Sequence, residues 1–112
     1  MMYPARRRLA VAFYAVAVVA LLAPLVALAK DHKVSVKDLK YAPKELKIKK
    51  GDTVIWTNAD DHDHTVTADD GSFKSGNMGD GATFKHKFDK PGKYKYHCEY
   101  HPRMKATITV EE

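Results

Sequence analysis

The chain has 112 residues, with 19 Lys and Arg against 14 Asp and Glu, a formal net charge of +5 and one cysteine. Much of that excess is Arg6, Arg7 and Arg8. Residues 30–112 carry 16 basic and 14 acidic side chains, interspersed rather than in blocks, which excludes a nucleic-acid footprint. A single cysteine excludes an internal disulfide, and 83 residues make one small domain whose core is marginal without a staple such as a bound metal.

The three arginines open a leader. An apolar run of 21 residues follows, from Leu9 to Ala29, and ends in Ala27-Leu28-Ala29. Basic head, apolar stretch and A-x-A site together read as a secretory signal peptide over residues 1–29. The alternative is an uncleaved anchor, because the run exceeds the usual signal core of roughly 7–15 residues and approaches the roughly 20 that span a bilayer. Pro24 and the small residues before Lys30 favour cleavage, which leaves residues 30–112 periplasmic or otherwise exported.

From Lys30 onward the pattern predicts strands and turns. Val34 and Val36 mark a first strand, Tyr41-Ala42-Pro43 a turn, and Leu46 and Ile48 a second strand alternating with lysines. Gly51-Asp52 turns the chain into Thr53–Asn58, and Thr65-Val66-Thr67 follows a polar Asp60-Asp61-His62-Asp63 loop. Glycines 71, 76, 79 and 81 span a long irregular connection. Thr83–Phe88, a Pro91-Gly92 turn, Lys93–Cys98 and Ala106–Val110 complete the chain. Period-two alternation between closely spaced turns implies an all-β sandwich or barrel, with no helical period, repeat or second-domain linker. Alternation also assigns faces. Tyr94, Tyr96 and Cys98 share the inward parity and Lys93, Lys95 and His97 the outward one. Met104, Ala106, Ile108 and Val110 point inward on the last strand.

The chemistry concentrates in Cys98-Glu99-Tyr100-His101-Pro102-Arg103-Met104, where thiolate, imidazole and thioether recur at three-residue spacing. Two histidines, one cysteine and a weak axial methionine make a blue-copper electron-transfer centre. His64 is the best second histidine, since it lies 34 residues ahead of Cys98 at the start of a strand that could neighbour the Cys98 strand. His62 is a substitute, although a solvated loop position suits it better. His32 belongs to a frayed start and His86 to edge packing. His97 could bridge to a second copper in a copper enzyme, but its parity puts it outside. Zinc is the rival metal for an isolated C-x-x-H; it prefers four good donors or an open water position, whereas a thioether suits copper(I).

Gly51–Val110 resembles a small cupredoxin of the plastocyanin and amicyanin group. The likeness is carried by Gly51-Asp52-Thr53-Val54-x-Trp56-x-Asn58, His64-Thr65-Val66, Asp69-Asp70-Gly71-x-Phe73-x-Ser75-Gly76, Thr83-Phe84, Pro91-Gly92-x-Tyr94-x-Tyr96-x-Cys98 and His101-Pro102-x-Met104. The cysteine-to-methionine spacing is the short one of amicyanin. The resemblance implies an all-β Greek-key sandwich with one type 1 copper per chain, held by His64, Cys98, His101 and Met104 and cycling between Cu(II) and Cu(I). It further implies a monomeric one-electron carrier rather than an enzyme, working between redox proteins such as a dehydrogenase and a c-type cytochrome. A membrane enters only if the leader is uncleaved. The rival function is copper binding or trafficking without an electron-carrier role. The resemblance also implies that the Thr65 amide donates to the Cys98 sulfur, that Asn58 ties loops together, and that His101 sits in an apolar surface patch that Tyr100 and Pro102 could build. Met78 reads as a packing plug in the glycine-rich loop that could also contribute to the patch or serve as a spare soft ligand. Ala106 departs from the family's usual glycine.

Overall fold

The computed structural model describes residues 28–112; the leader expected over residues 1–29 lies outside them except for its last two residues. Eight strands follow in order: β1 (Asp31–Lys37), β2 (Lys40–Ala42), β3 (Glu45–Lys49), β4 (Thr53–Asn58), β5 (Thr67–Ala68), β6 (Thr83–Lys87), β7 (Gly92–His97) and β8 (Lys105–Glu111). They form two four-stranded sheets, β2-β1-β4-β6 and β3-β8-β7-β5. The chain changes sheet at every step from β2 to β7, so the result is a sandwich with parallel pairs, β1 with β4 and β3 with β8, among antiparallel ones.

The core lies between the sheets and follows the alternation. Val34, Val36, Val54 and Trp56 come from one sheet; Ile48, Tyr96, Ala106, Ile108 and Val110 come from the other, all buried. Trp56 is the hub, with ring centroids 5.7 Å from Phe73, 5.5 Å from Phe84 and 5.6 Å from Tyr96. Phe73 enters from the glycine-rich connection, so that irregular segment is anchored by its own aromatic side chain.

Two expectations change. Tyr41-Ala42-Pro43 is not a turn: Tyr41 and Ala42 pair with Val36 and Ser35, and the turn falls earlier, at Asp38 and Leu39. Those two residues take φ of 52° and 60°, the left-handed conformation that a two-residue hairpin demands, without the glycine that would mark it in sequence. The strand expected from Thr65 begins only at Thr67, because the Thr65 amide is committed to Cys98 rather than to a ladder. β5 does pair with β7, Thr67 opposite His97, which brings the His64 segment alongside the Cys98 strand.

Candidate metal centre

The centre forms where three loops meet at one end of the sandwich. β7 delivers Cys98 on its inward parity, completely buried. The next six residues fold back as a closed hairpin: Met104 N donates to His101 O at 2.8 Å, His101 N to Cys98 O at 3.3 Å, and Cys98 N to Met104 O at 3.1 Å. That closure fixes the loop without help from a ligand. His101 is half-buried at its tip and Met104 is buried at its far end.

His64 comes from the opposite loop and is also completely buried. Its backbone exchanges two hydrogen bonds with Met78, at 3.1 and 2.8 Å. Behind it, the buried Asn58 amide donates to His62 O and Met78 O at 2.9 Å and faces Gly79 O at 3.1 Å, while its Oδ1 accepts from Asp60 N at 3.0 Å. Asn58 therefore ties loops together, as the resemblance implies.

The result is convergence on the sulfur. Cys98 Sγ lies 3.9 Å from His64 Nδ1 and 3.7 Å from His101 Nδ1, with all three donors within 4.8 Å of one another. An ion with sulfur at about 2.3 Å and nitrogen at about 2.0 Å puts the two about 3.7 Å apart at a trigonal angle and about 3.5 Å apart at a tetrahedral one. The observed spacings are of the size that one ion shared by a thiolate and two imidazoles would require, a donor set that suits copper. The Thr65 amide points at the same sulfur, 3.4 Å away, and supplies the hydrogen bond a thiolate needs. Thr65 is held in turn by Tyr41 Oη, which donates to its carbonyl at 2.5 Å, and by Glu99 N, which donates to its hydroxyl at 2.8 Å. Burial foremost pushes the Tyr41 phenol above its usual range, so it stays a donor.

One functional residue went unread in the sequence. Asp60 Oδ2 lies 3.1 Å from His64 Nε2. Protonation of Nε2 toward this carboxylate leaves Nδ1, the nitrogen facing Cys98, with its lone pair free for a metal. The His64 ring, more than any other contact, holds the Asp60 carboxyl down to about 2. The signal was an aspartate four residues before the histidine, hidden in a run of acids.

The family model for the cupredoxin-like domain matches residues 9–110. The chain belongs to the cupredoxin-like family. Among relatives of this cupredoxin is amicyanin-alpha of Methylorubrum extorquens, 35% identical over 93 residues, covering 74% of this chain and 74% of that protein. Amicyanin of Paracoccus denitrificans is 33% identical over 88 residues, with 70% of this chain and 63% of that one, so the match spans just under two thirds of that relative. A structure of an oxidized amicyanin mutant superposes with a TM-score of 0.68 at 32% identity, covering 71% of this chain and 81% of that one. A purple cupredoxin from Nitrosopumilus maritimus gives a TM-score of 0.65 at 30% identity, over 72% and 100%. The cupredoxin's cofactor is one type 1 copper, which the donor set fits, and a cupredoxin of this kind is an electron carrier rather than an enzyme.

The other histidines are placed elsewhere. His62 is exposed beside Asp61. His97 points outward, its Nδ1 2.6 Å from Asp69 Oδ1. His86 packs on the edge strand with ring centroids 5.0 Å from Phe73 and 4.6 Å from Phe88, as expected, and burial lowers its pKa. His32 is not frayed: it lies in β1 with Nε2 2.9 Å from the buried Asp52. Met78 is 2% exposed and packs in the core, as the plug reading expects, and adds nothing to a surface patch; among the described residues Leu39 and Tyr100 are the large apolar side chains exposed at this end of the cupredoxin.

Proposed function

We propose that His64, Cys98, His101 and Met104 are the copper ligands, and that the exported chain carries single electrons between redox proteins. The observation that carries this reading is one buried sulfur at near-equal distance from two imidazole Nδ1 atoms, 3.9 and 3.7 Å. Bound copper supplies a one-electron Cu(II)/Cu(I) couple. The chain's own part is to keep the donors where both states accept them. Asp60 orients His64, the Thr65 amide supports the thiolate, and the Cys98–Met104 closure holds the loop between β7 and β8. Met104 would tune as a weak axial sulfur.

The half-buried His101 is where a partner can approach. On one side a cleft of about 510 Å³ is lined by Asp38, Leu39, Asp60, Asp61, His62 and His101. On the other, Lys40, Lys44, Arg103 and Lys105 surround Leu39 and Met104. An apolar spot between acidic and basic flanks suits brief, orientation-specific docking. The leader's pattern supports a periplasmic setting, and a dehydrogenase and a c-type cytochrome are the partner classes that the resemblance in the sequence implies.

The test is to add copper(II) to metal-free protein, record the visible spectrum, and then cycle a reductant and an oxidant. One copper per chain, intense colour and reversible bleaching are expected. A colourless protein that releases copper(I) would support trafficking instead.

A further inference from the structure

At the other end of β4 from Asn58 sits a buried carboxylate without a permanent counter-ion. Asp52 is 3% exposed. Its Oδ1 accepts from Lys30 N at 3.0 Å, and its Oδ2 from Lys49 N and His32 Nε2, each at 2.9 Å. Among the described residues the only side-chain cation within ion-pair distance is His32, charged only when protonated. The nearby Lys49 ammonium turns to Glu111 Oε2 instead, at 3.2 Å. Buried carboxylates are ordinarily paired; here two backbone amides and His32 satisfy the oxygens, and among the described residues no permanently charged group touches them.

Lys30 stands where such a charge could arise. Its nitrogen faces Asp52, and its carbonyl accepts from Thr53 N at 2.9 Å, beside the Asp31–Thr53 pair that starts the β1–β4 ladder. Residues 28–30, immediately before β1, are exposed and belong to no strand. They line a cleft of about 550 Å³ together with His32, Lys49 and Asp52.

We propose that hydrolysis of the Ala29–Lys30 bond turns the Lys30 nitrogen into an α-ammonium that pairs with Asp52, so that proteolytic maturation completes the fold at this pole. An endopeptidase and one water suffice. The peptide C–N bond breaks, the water oxygen bonds to the Ala29 carbonyl carbon, and both water protons pass to the Lys30 nitrogen, giving a carboxylate and an ammonium. The nitrogen need not move. A single neutral N–H becomes a charged group with three donors, and charge-assisted hydrogen bonds are roughly twice as strong as neutral ones. The leader then delays part of the domain's stability until it is removed.

Residues 30–112 contain all eight strands, so the comparison can be made on that domain alongside the full chain. The decisive pair is residues 30–112 against 29–112, in which Ala29 restores a neutral amide at Lys30 and carries the ammonium away from Asp52. The 30–112 form should melt higher by about 4–8 °C, a shift readily resolved for a domain of this size, and Asp52→Asn should erase the difference. The α-amine should titrate above its ordinary value of about 7.7–8.0, followed by nuclear magnetic resonance. The advantage is present below that ordinary value and fades as pH rises through the elevated one. The charged and titratable neighbours facing the site are His32 from β1, Lys47 and Lys49 from β3, Lys50 from the turn before Asp52, Lys87 from β6 and Glu111 from β8. Should Asp52→Asn fail to fold, the length comparison and the amine titration decide alone. Equal melting of the two lengths with an ordinary amine titration overturns the proposal, as does an exported protein whose mass places its first residue elsewhere than Lys30.

Discussion

Replacing Asn58 with alanine tests the claim that the His64 loop is held by the protein rather than by the metal. The side chain is completely buried, and the substitution removes the Oδ1 bond from Asp60 N and the two Nδ2 hydrogens shared among His62 O, Met78 O and Gly79 O. Three hydrogen bonds are lost together. At roughly 1 kcal/mol net each the cost is about 3 kcal/mol. The balance between sites is uneven. Water can replace the partly exposed bonds, and Met78 O at the buried one keeps the His64 amide as its donor, so the cost stays near this sum. For a domain of this size that corresponds to a fall in melting temperature of about 12–24 °C. The assay is thermal and urea unfolding of metal-free protein, with exposed Thr57→Ala as a control expected within about 0.5 kcal/mol of the parent. A loss below about 1 kcal/mol, or one equal to the control, would refute the clamp. Copper affinity should also fall, because His64 would no longer be held at its place opposite Cys98.

Other outcomes follow from single contacts. Cys98→Ser should abolish the thiolate-to-copper colour while circular dichroism still reports a folded sandwich, whereas Met104→Leu should keep the colour and shift the reduction potential, because an axial thioether tunes rather than holds. Asp60→Ala should weaken copper binding about 10–100-fold, the usual effect of removing the group that orients a ligating histidine, measured by competition with a chelator. Desolvation raises the Asp52 carboxyl, but the Lys30 and Lys49 amides and His32 outweigh it and bring it from 3.8 to about 2. A depressed carboxyl contributes stability that is full above its unfolded value and lost as pH falls through the folded one. Urea midpoints should therefore drop between pH 4 and 2, less steeply in Asp52→Asn. His97→Ala should leave one copper per chain with unchanged colour, since its ring is turned to Asp69 outside the site.

Much of this was legible because alternation is a strong signal wherever one face is buried. Lysines at 93 and 95 fixed the outer face of β7, so Cys98 had to arrive inside, and Met104, Ala106, Ile108 and Val110 followed the same rule on β8. The segments that resisted were those whose conformation depends on partners distant in sequence. Thr65 looks like a strand residue, but its amide goes to a sulfur 33 residues away. Tyr41 precedes a proline and reads as a turn, yet its ring packs 4.7 Å from Tyr96 and its hydroxyl reaches Thr65. His32 read as bland because its partner, Asp52, lies 20 residues on, in what the sequence marks only as a turn. Asp60 was one acid among three in its loop, and only the fold shows that it faces an imidazole.

The complete enclosure of Cys98 bears on how the metal-free protein survives oxidation. A lone thiol in oxidising surroundings invites intermolecular crosslinking, but a disulfide needs two Cα atoms within about 7 Å, and a sulfur walled in by His64, Thr65 and His101 cannot approach its counterpart in another folded chain. Two sandwiches that collide therefore part again unlinked, with or without copper. Crosslinking requires the strand end to open, and the hairpin from Cys98 to Met104 must come apart first. The amount of disulfide-linked dimer in an aged preparation then counts unfolding events, and a non-reducing gel becomes a clock for the opening of this one loop.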